Sequence, residues 1–301
     1  MTDTARALNS SPVAELTAWE RVKMARHASR PHALDYLEEL ITDWVELHGD
    51  RSFGDDRALI GGLASFDGQT VMVLGHQKGN DTKENIARNF GMARPEGYRK
   101  AERLMRHAEK FGFPVITLID TPGAEPGIGS EERGQATAIA ESLMTMADLG
   151  VPTVAVVIGE GGSGGALAIG VADRILMLEN AIYAVASPEA CAAILWKDSG
   201  RAAEAAETMR ITAADLAGFG IVDEVIREPI PAHEQPKAAI RATGDAVARH
   251  LRDLVREYPR GDSSAIDRLR TARYDRFRRI GVWRESMPGA TGLELDAVSP
   301  C

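Results

Sequence analysis

Gly161, Gly162, Ser163, Gly164 and Gly165 lie between an apolar, β-branched run, Thr153 to Ile158, and a run of helix formers, Ala166 to Ile169. That order predicts a buried strand, a tight turn and the start of a helix. Glycine lets another molecule's atoms reach the backbone, so the turn can aim free peptide N–H groups at an anionic oxygen. Several chemistries fit these letters. Gly159 to Gly164 match the GxGxxG dinucleotide pattern, with Glu179 about 20 residues on as a ribose-binding acid. Gly161 to Gly165 match GxSxG, which would make Ser163 a nucleophile with only His233 and His250 following it in the required order. A third reading needs no nucleophile: Gly164 and Gly165 donate their N–H groups to an oxyanion. The alternative without chemistry is a close strand-to-helix crossing.

A second glycine-rich loop, Asp120 to Gly129, follows the strand-like run Pro114 to Ile119 and precedes a helical stretch, Glu132 to Met146. The two strand-loop-helix units stand in tandem, about 38 residues apart, and a third, degenerate unit follows as Arg174 to Leu178, Ile182 to Ala186 and a helix from Ser187 to Trp196. A dinucleotide domain has one such loop rather than a stack. Residues 76–110 carry nine basic residues, Lys78 and Arg99 among them, against five acidic ones. That surplus reads either as a site for a phosphate-bearing ligand or as a solvated helix face. Asp50, Asp55 and Asp56 read as turn and cap residues rather than metal ligands.

The 301 residues suffice for a large core, and 44% hydrophobic content indicates a globular chain. Lysine and arginine number 35 against 44 acids, a net charge of -9 that argues against general nucleic-acid binding. Cys191 and Cys301 cannot build a zinc ribbon or a disulfide framework, which fits a cytoplasmic protein without a metal of its own. No targeting or membrane segment is expected.

The remaining elements follow from periodicity. Pro12 to His27 and Leu34 to Leu47 read as leader helices, and Ala58 to Phe66 with Thr70 to Gly75 as a hairpin about Asp67-Gly68. Tyr98 to Phe111, Arg201 to Met209, Thr212 to Phe219, Lys237 to Tyr258 and Ser264 to Ile280 read as helices, the last rich in arginines that form a solvated face or dock a partner. The organisation expected is a helical leader at 1–48, a core at 49–231, C-terminal helices at 232–286 and a disordered tail at 287–301.

Over residues 19–285 the chain resembles the alpha-subunit family of the acetyl-CoA carboxylase carboxyltransferase, within the crotonase-like superfamily. RPHALDY, ELHGDRSFGDDRALIGG, GHQKGNDTKENIARNFGMARPEGYRKA, DTPGAEPGIGSEERGQ, IGEGGSGGALAIG and ASPEACAAILWKD carry the resemblance, in that order. It implies an α/β superhelix of stacked ββα units with flanking helices. The implied reaction moves a carboxyl group from carboxybiotin, borne on biotin carboxyl carrier protein, to acetyl-CoA, giving malonyl-CoA for fatty-acid biosynthesis. The implied partners are a zinc-ribbon beta subunit in an alpha2beta2 assembly, the carrier protein and biotin carboxylase. Gly164 and Gly165 match the family's biotin-side oxyanion pair, and Gly123, Ala124, Gly161, Gly162, Ser163, Lys78 and Arg99 fall where substrate would be contacted.

Two positions depart from the family pattern. Glu125 stands where tyrosine is usual, with an outward orientation expected, and Ala190 stands where glycine follows Ser-Pro-Glu. The leader before Trp19 is shorter than usual, and the tail after Ser286 is an addition. The competing readings are a self-sufficient crotonase-type hydratase or hydrolase using Glu132 or Glu160, a dehydrogenase using Glu179, and a scaffold without activity. Valine at Gly164 or Gly165 is expected to abolish turnover and leave assembly intact.

Overall fold

The computed structural model describes residues 16–281. The segments 1–15 and 282–301, with the expected start of the leader helix, the disordered tail and Cys301, lie outside the described residues.

One mixed sheet organises the chain. Its centre is parallel: β3 (Gln69–His76), β4 (Val115–Thr121), β5 (Thr153–Gly162), β6 (Arg174–Leu178) and β8 (Glu224–Ile226) lie in that order, and a short β7 (Ile182–Ala184) pairs with the far end of β5. Every residue of β4 and β5 is buried, as expected of parallel strands covered on both faces. At one edge β2 (Leu59–Phe66) forms an antiparallel hairpin with β3 through Asp67-Gly68, both at positive φ, and β1 (Thr42–Glu46) adds the last strand.

Neighbouring glycines on the hairpin identify the two covering layers. A Cβ on Gly61 would meet Leu104 of α4 (Pro95–Phe111), whereas one on Gly75 would meet Ala33 of α2 (Ala33–Leu40). With α4 goes α6 (Gln135–Asp148) and with α2 the long α11 (Pro236–Glu257), while α1 (Ala18–Ala25) packs on β5 and β7. The short helices α3 (Thr82–Ala87), α5 (Ile128–Glu132) and α7 (Ser163–Leu167) follow strands β3, β4 and β5, and α8 (Pro188–Trp196), α9 (Ala202–Met209) and α10 (Ala213–Gly218) lie between β7 and β8.

Two expectations need correction. The helix expected over Leu34–Leu47 stops at Leu40, and residues 42–46 become a strand on the edge of β2. The helical spacing runs on through Trp44 and Leu47, but Ile41, Thr42 and Val45 are β-branched, and β2 offers an unpaired edge. A leader boundary at residue 48 therefore cuts through the sheet. The stretch Glu132–Met146 is also divided, because Gly134 turns left-handed at φ 80 between α5 and α6.

The arginines of α12 (Ser263–Arg278) do not form one solvated face. Arg273 is 2% exposed, pairs with Asp173 at 2.8 Å and donates to the carbonyls of Met146, Ala147, Leu149 and Val151. It supplies donors for the end of α6, whose last carbonyls have no partner within the helix. Arg270 reaches Glu109 and the Asp148 carbonyl, and Arg276 reaches Asp223 and the Ile221 carbonyl. Arg273→Met should cost about 3–5 kcal/mol, because it strands Asp173 in the interior. A urea transition read by circular dichroism should move to a lower midpoint at constant slope, and an unmoved midpoint would refute the docking role.

Candidate active site

β5 delivers the glycine turn to the carboxyl end of the parallel sheet, where the loop after β4 meets it. Gly162 lies so close to the Pro122 carbonyl that no side chain fits between them. At Gly165 a Cβ would stand 2.6 Å from the Ala124 nitrogen, 2.8 Å from the Gly123 carbonyl carbon and 2.8 Å from the Tyr98 hydroxyl. Two backbones are thus in direct contact, which only glycine allows. Gly123, Ala124, Gly161, Gly162, Ser163, Gly164 and Gly165 come together as one wall.

Ser163 opens α7 at φ 52 and is exposed, while Gly165 is buried. No side chain caps the helix start, and the first N–H groups of any helix have no partner within it. The N–H groups of Gly164 and Gly165 therefore have no partner within α7. Beneath them lie buried Tyr98 and His76; burial pushes the His76 imidazole down to about 4, so the floor is neutral near pH 7.

The nucleophile and dinucleotide readings find no support. His233 stacks on His27 at 4.0 Å between ring centres, and His250 bonds to Glu224 at 2.8 Å, so neither serves Ser163. Glu179 binds Arg227 and the Glu228 N–H. Glu160 is held by Arg26 at 2.6 Å, and Glu132 is exposed at the end of α5. Glu125 is half-buried, and its carboxylate accepts the Ser130 hydroxyl of α5. Ala190 donates its N–H to Ser187 in the cap of α8.

Lys78 and Arg99 are each engaged by a carboxylate. Lys78 Nζ is 2.6 Å from Asp120, and Arg99 is 2.7 Å from Asp50 and also donates to the Arg133 carbonyl. Asp50 accepts the N–H groups of Ser52, Phe53 and Gly54; Asp55 accepts Gly49 N–H, and Asp56 those of Ala58 and Arg94, so these acids do organise turns. Burial alone would raise Asp50 and Asp55, but these hydrogen bonds, with Arg99 and Lys100, hold each at about 2. Among the described residues, no cluster of His, Cys, Asp and Glu could hold a metal ion.

Sequence reasoning missed three residues of one short linker. Arg26, Arg30 and His32, between α1 and α2, reach Glu160, the Ile158 carbonyl and Asp120 respectively. Nothing in their spacing announces contacts more than 80 residues away.

The elements around the turn leave large apolar side chains in the open. Ile128 on α5, Met144 on α6, Leu167 on α7, Val185 after β7, and Ile194 and Leu195 on α8 are between 42% and 81% exposed.

A sequence model of the acetyl co-enzyme A carboxylase carboxyltransferase-like family matches residues 1–281. The chain belongs to that family. It is 54% identical over 273 residues to the acetyl-coenzyme A carboxylase carboxyl transferase subunit alpha of Geobacter metallireducens, covering 90% of this chain and 84% of the relative. It is 56% identical over 269 residues to the subunit of that name from Acidithiobacillus ferrooxidans, covering 89% and 83%. The transcarboxylase 12S structure superposes at a TM-score of 0.57 and 20% identity, covering 87% of this chain and 44% of that one. At that identity the likeness speaks for the fold, the crotonase-type α/β architecture of carboxyltransferases.

Gly164→Ala should fold as the parent does, since its Cβ would meet nothing closer than Ile139 at 3.6 Å, whereas Gly165→Ala must push the two loops apart. Valine at Gly165 would therefore disturb the fold itself. Thermal denaturation of both alanine variants decides this, and equal transitions would refute the close-contact account. Acid should also unfold the chain early. Asp50, Asp55 and Asp120 have folded values below the unfolded value of about 3.9, so their contribution is present above pH 4 and lost as pH falls toward 2. Asp56, raised by burial, acts in the opposite direction, one group against three. A urea midpoint at pH 3 no lower than at pH 6 would contradict this.

Proposed function

We propose that this chain is the biotin-side half of an acetyl-CoA carboxyltransferase, working in the cytoplasm beside a zinc-ribbon beta subunit in an alpha2beta2 assembly. The carrying observation is the uncapped start of α7, where Gly164 is half-buried and Gly165 is buried against the Gly123-Ala124 peptide, with Leu167 exposed one turn on. Carboxybiotin, brought by biotin carboxyl carrier protein after biotin carboxylase has charged it, supplies the carboxyl group that acetyl-CoA accepts to become malonyl-CoA for fatty-acid biosynthesis.

This chain's own part is electrostatic. The Gly164 and Gly165 N–H groups present fixed dipoles to the oxygen on which negative charge grows as the carboxyl group departs, and they need no reorganisation to do so. Gly123 and Ala124 line the same recess, with Gly161, Gly162 and Ser163 forming its edge. Lys78 and Arg99 hold Asp120 and Asp50 beside the two loops. Developing charge of this kind needs donors rather than a nucleophile, which suits a turn without a catalytic histidine or a free glutamate. The exposed apolar border suits a site whose other half is on a second chain.

A self-sufficient hydratase would need a free carboxylate at the turn, and Arg26 occupies the nearest one, Glu160. The test is carboxyl transfer from malonyl-CoA to a soluble biotin derivative, with this chain alone and with a zinc-ribbon beta subunit. Turnover is expected only in the mixture. Turnover by the lone chain would replace this reading with the self-sufficient enzyme, and none from a verified complex would leave a scaffold.

A further inference from the structure

Strands β4 and β5 lose register just before the turn. β4 passes from Ile119 to Thr121 while its partners on β5 pass from Val157 to Gly161, so β5 carries two residues more. Such a bulge strands backbone groups that the ladder would have paired. A side chain of β4 itself and one from the linker between α1 and α2 meet them. Arg30 donates its Nε–H to the Ile158 carbonyl at 2.7 Å, and Asp120 accepts the Glu160 N–H at 3.0 Å. The Asp120 carboxylate also fills the space beside Gly159, where a Cβ would lie 2.5 Å from Oδ1.

Both groups are themselves held. Arg30 makes a two-pronged pair with Glu228 at 2.8 and 3.1 Å, and Asp120 is bound by Lys78 Nζ at 2.6 Å and His32 Nδ1 at 2.9 Å. Burial alone would raise the Asp120 carboxyl; the Lys78 charge and His32 override it and hold the group well below the usual carboxylate range. Asp120 is therefore a charged acceptor near pH 7.

We propose that Asp120 is a positioning residue for the carboxyl-transfer step. By accepting the Glu160 N–H it fixes the β5 bulge, and the bulge sets the direction in which Gly164 and Gly165 present their N–H groups. This rests on reading those groups as the oxyanion site. A displacement of about 1 Å at such a site lowers turnover on the order of 10²-fold.

The test compares two double variants in the complex with the beta subunit, Asp120→Asn/Lys78→Met and Asp120→Ala/Lys78→Met. Both remove the buried charge pair, but only asparagine keeps an oxygen able to accept the Glu160 N–H. The asparagine variant should turn over within about tenfold of the parent and the alanine variant about 10²-fold slower, with the malonyl-CoA KM within about twofold in both. Amide hydrogen exchange over residues 158–165 in the chain alone should accelerate only with alanine. Equal turnover in the two variants overturns the proposal, whatever their exchange. A Gly164→Val complex run alongside separates the causes: its retained turnover removes the oxyanion reading, and its lost turnover beside equal Asp120 variants removes the positioning role alone.

Discussion

The site depends on one contact, backbone against backbone, between the loop after β4 and the turn after β5. Gly162 faces the Pro122 carbonyl, and Gly165 faces the peptide joining Gly123 to Ala124. Neither face has room for a methyl group, so each stretch fixes the height of the other. The N–H groups at the start of α7 are rigid for that reason and not because of anything α7 does itself. Five residues of helix are too few to be stable alone.

A glycine contact of that kind fixes separation but not direction, and the buried charges provide the rest. Replacing a buried ion pair with apolar residues often leaves stability unchanged or raises it, so Arg30 with Glu228, Asp120 with Lys78 and Arg273 with Asp173 are poorly explained as stabilisers. What they share is backbone. Arg30 and Asp120 satisfy groups freed by the bulge, Glu228 accepts the N–H groups of Asn180 and Ala232, Arg273 meets four carbonyls near the end of α6, and Asp173 accepts the Thr153 N–H. Each pair sits where regular structure stops inside the core, and a charged group answers several backbone dipoles from one position.

The legible parts of the sequence were those whose cause is local. The glycine turn, the Asp67-Gly68 hairpin, the Ser187 cap and the long α11 follow from neighbours a few residues apart. Residues 34–47 carry a real helical period, but it loses to an edge of β2 that no local pattern reveals. The basic surplus at 76–110 was visible, yet its partners Asp50, Asp55 and Asp120 are distant in sequence, so a ligand site could not be told from a set of internal ion pairs. The linker from Arg26 to His32 is the extreme case: three contacts on β5 and its neighbour from residues that read as the gap between two helices.

Glu125 illustrates how backbone chemistry tolerates change. A carboxylate beside a growing negative charge would oppose it, and a substitution that placed one there would be costly to a site made of fixed dipoles. The loop prevents this locally. Glu125 donates its N–H to the Ala93 carbonyl, its own carbonyl accepts from Gln135, and its carboxylate turns back to Ser130 near the start of α5. With the main chain held at both ends, the side chain can change identity without altering where Gly123 and Ala124 stand. A site built from peptide groups is sensitive to whatever moves the backbone and indifferent to side chains that the backbone carries away from it.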